Sequence, residues 1–515
     1  MGKYYLGIEL GSTRIKSVLI DSETEVVAMG SHEWENALVD GLWSYSMKDV
    51  EIGLQASYAA MAGEYEKKYG EPLTDLEAIG ISAMMHGYLA FDKEDKLLVP
   101  FRTWRNTNTE RAADALSEAF GFNIPMRWSV SHYYQAVLDR EEHIGEVAFL
   151  TTLSGYVHYR LTGERVLGVG DASGMFPTVG NRYDETMLKK LDEMLKAQGV
   201  DTPFESVMPR ILLAGDDAGR LTEAGARYLD PTGKLHAGAL LCAPEGDVGT
   251  GMVATNSVRQ RSANVSAGTS AFLMVALEKP LSSYYKEIDV VASPAGDPVA
   301  MVHVNNFTTE ITAWANLFEE VIALSGAQIN RGKLFDALFA SSLSADGDCG
   351  ELMGYNFLAG EPVVGVNLGT TVLTRAPEGK LTLPNFMKMQ IYSALGALAV
   401  GCETLKRENV AIDSVCGHGG FFKAPKVGQS AMSAALGAPV TVMQNAGEGG
   451  AFGIALLALY ASEKGQSLAD FLDGVFAGAK KLVVSADEKE IADFGAFMEK
   501  FKSGLAVQRL AAEVL

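Results

Sequence analysis

The sequence predicts an α/β fold built of two similarly organised halves with a cleft between them. Three observations lead there. Residues 4–33 read as strand, turn, strand, turn, strand, and alternating helix and strand patterns follow. The same order returns from residue 263. The length of 515 residues, 48% of them hydrophobic, allows two domains with cores of their own.

The elements follow in order. "YYLGIEL" (residues 4–10) is a strand, "GST" a tight turn, and "IKSVLID" (15–21) a returning strand with apolar alternation. A turn at Asp21-Ser22 leads into a third strand, "EVVAMGSHE" (25–33). Residues 48–69 carry a helical pattern that stops before Gly70. "LEAIGISAMM" (76–85) reads as a buried strand and "YLAFDKEDKLL" (88–98) as a hairpin around Lys93-Glu94-Asp95. In the second half "ANVSAGTSAFLMVAL" (263–277) is again strand, small-residue turn, strand. "SVCGHGGFF" and "APVTVM" are later strands separated by the helix pattern "KVGQSAMSAAL". Two halves of related design indicate internal duplication, with the changeover near residues 250–260.

Charge and cysteines narrow the function classes. With 43 basic and 64 acidic side chains the formal charge is -21, a field that repels nucleic acid and anionic membrane. An anionic substrate must therefore be held by a local site. Cys242, Cys349, Cys402 and Cys416 form no C-x-x-C pair and suit a reducing compartment with buried thiols. A strand pattern follows Lys3, no apolar run approaches the ~18 residues of a membrane span, and position 6 lacks the hydroxyl residue of a myristoylation signal. The expected location is cytoplasmic.

Several residues carry candidate chemistry. Glu9 interrupts an apolar strand, and a half-buried carboxylate calls for a partner, a metal or a ligand; Arg14 or Lys16 could supply the partner. The turns "LGST" (10–13) and "AGTS" (267–270) can offer amides and hydroxyls to phosphate oxygens, or can be ordinary hairpin turns. One such turn per half, each at the matching point, favours a nucleotide phosphate chain gripped between the halves. Asp247 lies between a strand-like "AGALLCA" and a Gly-rich helix start, where it can accept a proton during phosphoryl transfer or cap the helix. His86 follows an apolar strand and is either a hydrogen-bonded structural residue or a ligand contact. "FRTWRNTNTER" (101–111) gathers Trp104, Arg105, Asn106 and Asn108, a set suited to a hydroxyl-rich ligand or to a solvated loop. Gly419 and Gly420 at a strand end leave room for a flat base, as would any Rossmann-like loop.

Taken together, the segments resemble the FGGY carbohydrate kinases, within the superfamily of actin, hexokinase and the Hsp70 ATPase. The series runs from "GIELGSTRIKSVLID" through "MMHG", "GDASGMFP", "GRLTEAGA", "GDVGTGMVATNS", "VSAGTSAFL" and "GHGGFFKAPKVGQ" to "GEGGAFGIALLA". The resemblance implies two ribonuclease H-like (actin-like ATPase) domains, over residues 1–252 and 253–515, with ATP and Mg²⁺ as cofactors. It implies Asp247 as general base. Gly11, Ser12, Thr13 and Lys16 would hold phosphates in the first half and Gly268 and Thr269 in the second, with Gly419 and Gly420 lining the adenosine site. Glu9 and Asp247 would face the metal. The "MHG" form is that of xylulokinase-like members, so Met85 and His86 would touch the sugar, with Trp104, Arg105 and Asp171 as pocket neighbours and a ketopentose such as xylulose as acceptor. Other acceptors, such as ribulose, a deoxy-ketose or a polyol, stay open, as does a nucleotide-driven sensor. Family members are often homodimers. The chain departs from the family pattern at Glu9, where Asp is usual, at Met84, where Gln is usual, at Asn106 and Asn108, where an Asp and an Arg are usual, and at Ala434, where Asp is usual. These changes bear on the sugar and metal sides, and a pocket that has changed its polar groups must pair hydroxyls differently.

Overall fold

Residues 4–33 form the expected meander in the computed structural model: β1 (Tyr4–Leu10), β2 (Arg14–Asp21) and β3 (Val26–Glu33) pair antiparallel in sequence. The structure describes residues 2–424, 426–443, 449–463 and 465–515; Pro425 of the adenosine segment and Gly447 and Glu448 of "GEGGAFGIALLA" lie outside the described residues. Helix α1 (Met47–Tyr69) follows. Its N-cap Ser46 accepts from the amide of Asp49 at 3.0 Å, and Gly70 ends it at φ 77°, a left-handed position that favours glycine. β4 (Ala78–Ala83) lies parallel to β1, and α2 (Leu153–Thr162) and α3 (Val169–Ala172) belong to the long excursion that follows. β5 (Leu240–Leu241) and β6 (Glu245–Gly246) both run parallel to β4, and α4 (Asp247–Ala254) begins directly after β6. The sheet order is β3-β2-β1-β4-β5, with β6 also on β4.

The second half repeats this plan. β7 (Ser262–Ala267), β8 (Ala271–Ala276) and β10 (Pro298–Val304) form the antiparallel meander, with β9 (Asp289–Ala292) added at its outer edge. After the long helix α5 (Leu383–Arg407), β11 (Ser414–His418) pairs parallel with β7. Helix α6 (Val427–Leu436) leads to β12 (Val440–Met443), parallel to β11. α7 (Gly449–Ser462), β13 (Lys481–Val484) and α8 (Glu488–Val514) complete the chain. The order β10-β8-β7-β11-β12 matches β3-β2-β1-β4-β5 in both sequence and strand sense. The duplication read from the sequence is thus present as a repeated sheet.

Alternation along β1 assigns its two faces. Leu6, Ile8 and Leu10 join a core with Tyr58 and Met61 of α1, whereas Tyr5 joins one with Ile454 and Ala455 of α7. Glycines set how closely each helix approaches. A side chain at Gly30 would collide with the backbone of α1, one at Gly7 would collide with the backbone at Ala451, and one at Gly80 would begin 2.5 Å from the Ile454 oxygen. So α7, a helix of the second half, packs on the first sheet. The hairpin at residues 88–98 differs from expectation. Asp92 closes the turn through the amides of Glu94 and Lys96, both at 2.9 Å, and the returning segment meets the first strand at the Phe91–Leu97 bridge and through the Leu98 amide on the Ala90 oxygen at 2.9 Å, but the regular ladder of Leu89–Phe91 is with Phe149–Thr151. The four cysteines are buried and free. Among the described residues no helix is long and apolar enough to cross a membrane.

Candidate active site

The two small-residue turns are built alike. In the first, the Gly11 oxygen accepts from the Trp34 indole at 2.7 Å, the Ser12 oxygen from the Tyr45 hydroxyl at 2.6 Å, and the Thr13 oxygen from the Trp34 amide at 3.2 Å. In the second, the Gly268 oxygen accepts from the Thr308 hydroxyl at 2.7 Å and the Thr269 oxygen from the Phe307 amide at 2.8 Å. In both cases the residues that follow the third strand of the meander tie down the turn's carbonyls. The amides of Ser12, Thr13, Thr269 and Ser270 have no hydrogen-bond partner among the described residues. Tied carbonyls and free amides in a turn make an anion-binding concavity. Lys16 lies opposite Glu9 on β2.

Gly419 (φ 107°) packs against the end of β7, where a side chain would collide with Ala267. Gly420 has open space beside it. The glycine pair therefore stands beside the second turn.

Asp247 is the first residue of α4, and Gly246 is the N-cap, so the acid does not cap its own helix. Its Oδ1 instead accepts from the Met85 amide at 3.1 Å, which joins it to the loop after β4. The side chain is open to solvent although protein surrounds it on most sides. That desolvation pushes its carboxyl up to about 6, against the amides of Met85 and Val248.

Two further acids stand beside it. Asp171 in α3 is 1% exposed, and its Oδ2 accepts from Thr152 at 2.6 Å and from Ser154. Its Oδ1 has no partner among the described residues. Burial, with a smaller push from the charge of Asp247, raises its carboxyl to about 7 against the Ser154 and Thr152 hydroxyls. Glu245, which sequence reasoning missed, is 1% exposed and accepts from the amides of Gly170 at 3.3 Å and Asp171 at 3.0 Å. Any side chain at Gly168 or Gly170 would strike the Glu245 carboxylate, so those glycines make its berth. Burial pushes it to about 8. The signal available was an acid two residues before another acid at a strand end.

Glu9 sits on the α7 face of β1. Gly450 is where its carboxylate fits, since a side chain there would strike Glu9 and come within 2.8 Å of the Thr250 hydroxyl. Thr250 in turn meets Ser82 at 3.0 Å and the Asp247 carbonyl at 3.3 Å. Glu9 and the Thr250 hydroxyl thus border the same space beside Gly450, at the start of α7. Burial raises Glu9 to about 7, while Lys16 opposes and Asp247 adds to the shift. Arg14 is not its partner, because that guanidinium pairs with Glu33 at 2.5 Å.

Met85 and His86 sit beside Asp247. His86 (φ 71°) is buried; its Nδ1 lies 3.2 Å from the Gly174 oxygen and its ring stacks on Trp128 at 6.2 Å. Burial, then Arg127, holds its pKa well below the usual histidine range, so the ring is neutral. Neutral with Nδ1–H donating to Gly174, it keeps Nε2 as an acceptor. Arg105 and Trp104 lie on the exposed loop over Trp43. The Arg105 guanidinium stacks on the Trp43 ring at 4.0 Å and donates to Asn36 at 3.0 Å, and Trp104 is 40% exposed. Asn106 is buried as a brace that exchanges hydrogen bonds with the Trp43 backbone at 2.8 and 2.9 Å.

Known proteins were compared with the chain. The N-terminal-domain model of the FGGY family of carbohydrate kinases matches residues 4–229, and the C-terminal-domain model of the same family matches residues 263–462. The xylulose kinase of Haemophilus influenzae is 23% identical over 329 residues, a match that covers 61% of this chain and 64% of that one. Among solved structures, the xylulose kinase of Rhodospirillum rubrum superposes with a TM-score of 0.80 at 15% identity, over 99% of this chain and 100% of the other. The gluconate kinase of Lactobacillus acidophilus gives the same TM-score at 16% identity, over 100% and 99%.

Proposed function

Because the chain belongs to the FGGY family of carbohydrate kinases, with the actin-like ATPase fold that family shares, we propose that it transfers the γ-phosphoryl group of ATP to a sugar hydroxyl, with Asp247 as general base. The observation that carries this reading is Asp247 itself, an accessible carboxylate at a helix start, oriented by the Met85 amide and close enough to Glu9 for their charges to couple. In the reaction the acceptor hydroxyl attacks in line as Asp247 takes its proton, while the paired turns hold the phosphate chain on their free amides. A carboxyl near 6 is ionised at neutral pH and basic enough to take that proton. Gly419 and Gly420 would receive the adenosine, and Met85, His86 and Asp171 would line the acceptor pocket. Trp104 and Arg105 would stand at its outer edge.

Glu9 and Asp247 are the side chains that fit Mg²⁺. Glu9 is a desolvated carboxylate that Lys16 only partly balances, and a nearby cation would restore its charge. Among the described residues no three His, Cys, Asp or Glu side chains form a closed metal cage, so the two carboxylates would share the ion with phosphate oxygens and water. When bound, the ion neutralises charge that develops on the phosphates.

A ketopentose such as xylulose is the acceptor to test first, in keeping with the "MHG" loop and the relatives' names. The test is ADP formation across ketoses, polyols and sugar acids, with Asp247→Ala alongside. That variant is expected to lose ~10²–10⁴-fold in turnover while keeping the thermal shift given by nucleotide. Near-normal turnover would refute the general base. Slow ATP hydrolysis that no acceptor accelerates would favour a nucleotide-driven sensor instead.

A further inference from the structure

Arg127 stands between the His86 loop and the second sheet. Its carbonyl accepts from the Gly87 amide at 3.4 Å, and the neighbouring Trp128 carries the His86 ring. Its Nη2 pairs with Asp289 at the start of β9. The other oxygen of Asp289 accepts from Asn123 at 2.7 Å, so the carboxylate is engaged on both sides and grips the guanidinium by one edge. Nε and Nη1 of Arg127 have no partner among the described residues, and the side chain is 23% exposed. Its charge reaches the site. Burial lowers the pKa of His86 and His303 and Arg127 lowers both further, while it opposes the upward shift of Asp247.

A second unmet group faces the same region. Asp171 Oδ1 is a buried acceptor without a partner among the described residues, 3.3 Å from where a side chain on Gly246 would begin. Gly246 immediately precedes Asp247.

We propose that Arg127 is a specificity-determining residue of the acceptor pocket, donating through Nε and Nη1 to an oxygen that carries no proton, either a ketone carbonyl or a carboxylate. Asp171 would receive a hydroxyl of the same acceptor. The reason lies in where protons can go. A guanidinium only donates, and the one carboxylate at its edge is already filled by Arg127 and Asn123. A polyol hydroxyl at this position must turn its proton away from the guanidinium and find an acceptor elsewhere in the pocket, a constraint expected to lower binding ~10-fold. A carbonyl or carboxylate meets no such cost, and a carboxylate can take two parallel hydrogen bonds.

This inference rests on the sugar-kinase reading and is tested on the full chain. The comparison is kcat/KM for a ketose, the polyol obtained by reducing it, and the aldonate of equal carbon number. The native protein is expected to prefer the ketose or the aldonate over the polyol by at least ~10-fold, and the better of the two identifies the oxygen. Arg127→Met is expected to erase that preference, read as a loss of kcat/KM for the favoured acceptor that exceeds any loss for the polyol by at least ~10-fold. Arg127→Lys keeps the ion pair with Asp289 and covers the case in which the methionine variant does not fold; it is expected to narrow the same preference. A native protein that takes the polyol equally well overturns the proposal. So does an Arg127 variant that keeps the preference, or one that depresses all three acceptors alike. A native protein that phosphorylates none of them overturns the kinase reading, and this inference with it.

Discussion

Glu9 lies one pleat beyond Gly7 on the face of β1 that α7 covers, and that position explains why an acid interrupts the strand. Gly7 takes the body of the helix, and the next side chain on that face meets its start at Gly450 and Ala451. The Ala451 amide and the positive end of the helix favour a carboxylate there, while burial opposes its charge. The longer Glu side chain reaches this first turn, where its carboxylate lies against Gly450. Glu9→Gln should weaken the dependence of activity on Mg²⁺ more than it weakens acceptor affinity. A Mg²⁺ titration of ADP formation checks this, and an unchanged half-saturation point would refute the metal role.

At the scale of elements, local pattern carried much of the architecture. Alternation and small-residue turns located β1 to β4, β7, β8, β11 and β12, and both turns hold free amides where the duplication placed them. Other features were not legible because periodicity reports which residues share a face, not which element covers it. Nothing in "GAFGIALLALY" says that this helix leaves its own half to cover Gly7 and Gly80. Arg127 and Glu245 were missed for the same reason. Their meaning comes from Asp289, 162 residues away from Arg127, and from Asp171, 74 residues away from Glu245. The docking of α7 gives a direct test. Gly80→Ala puts a methyl group against the Ile454 oxygen and should destabilise the protein by ~1–3 kcal/mol, read as a lower urea midpoint. An unchanged midpoint would mean that the helix does not seat there.

Over the whole molecule, buried acids and buried histidines set opposing limits on stability. Burial raises Glu9, Asp171 and Glu361 to about 7 and Glu245 to about 8. Each contributes stability that is complete below the ordinary carboxylate range and is lost as pH rises through its folded value. Burial lowers His132 to about 3 and His158 and His303 to about 4. For these the unfolded chain binds protons first, so stability is lost as pH falls below ~6.5. The two slopes offset each other between ~4.5 and ~6.5, and above that only the acids act. Urea unfolding at constant ionic strength should show a plateau there and a decline toward pH 8, with the decline reduced by Mg²⁺ and nucleotide. Rising stability from pH 6.5 to 8 would contradict the buried carboxylates. The placement of α7 also fixes an order in time. During synthesis β1 to β4 of the first sheet emerge by Ala83, yet the helix that seals one of their faces ends at Ser462, so that face stays bare while more than three hundred further residues are made. The half of the protein that is translated first therefore cannot finish folding until late in synthesis, and a chain released before α7 leaves an open apolar sheet face for chaperones to hold.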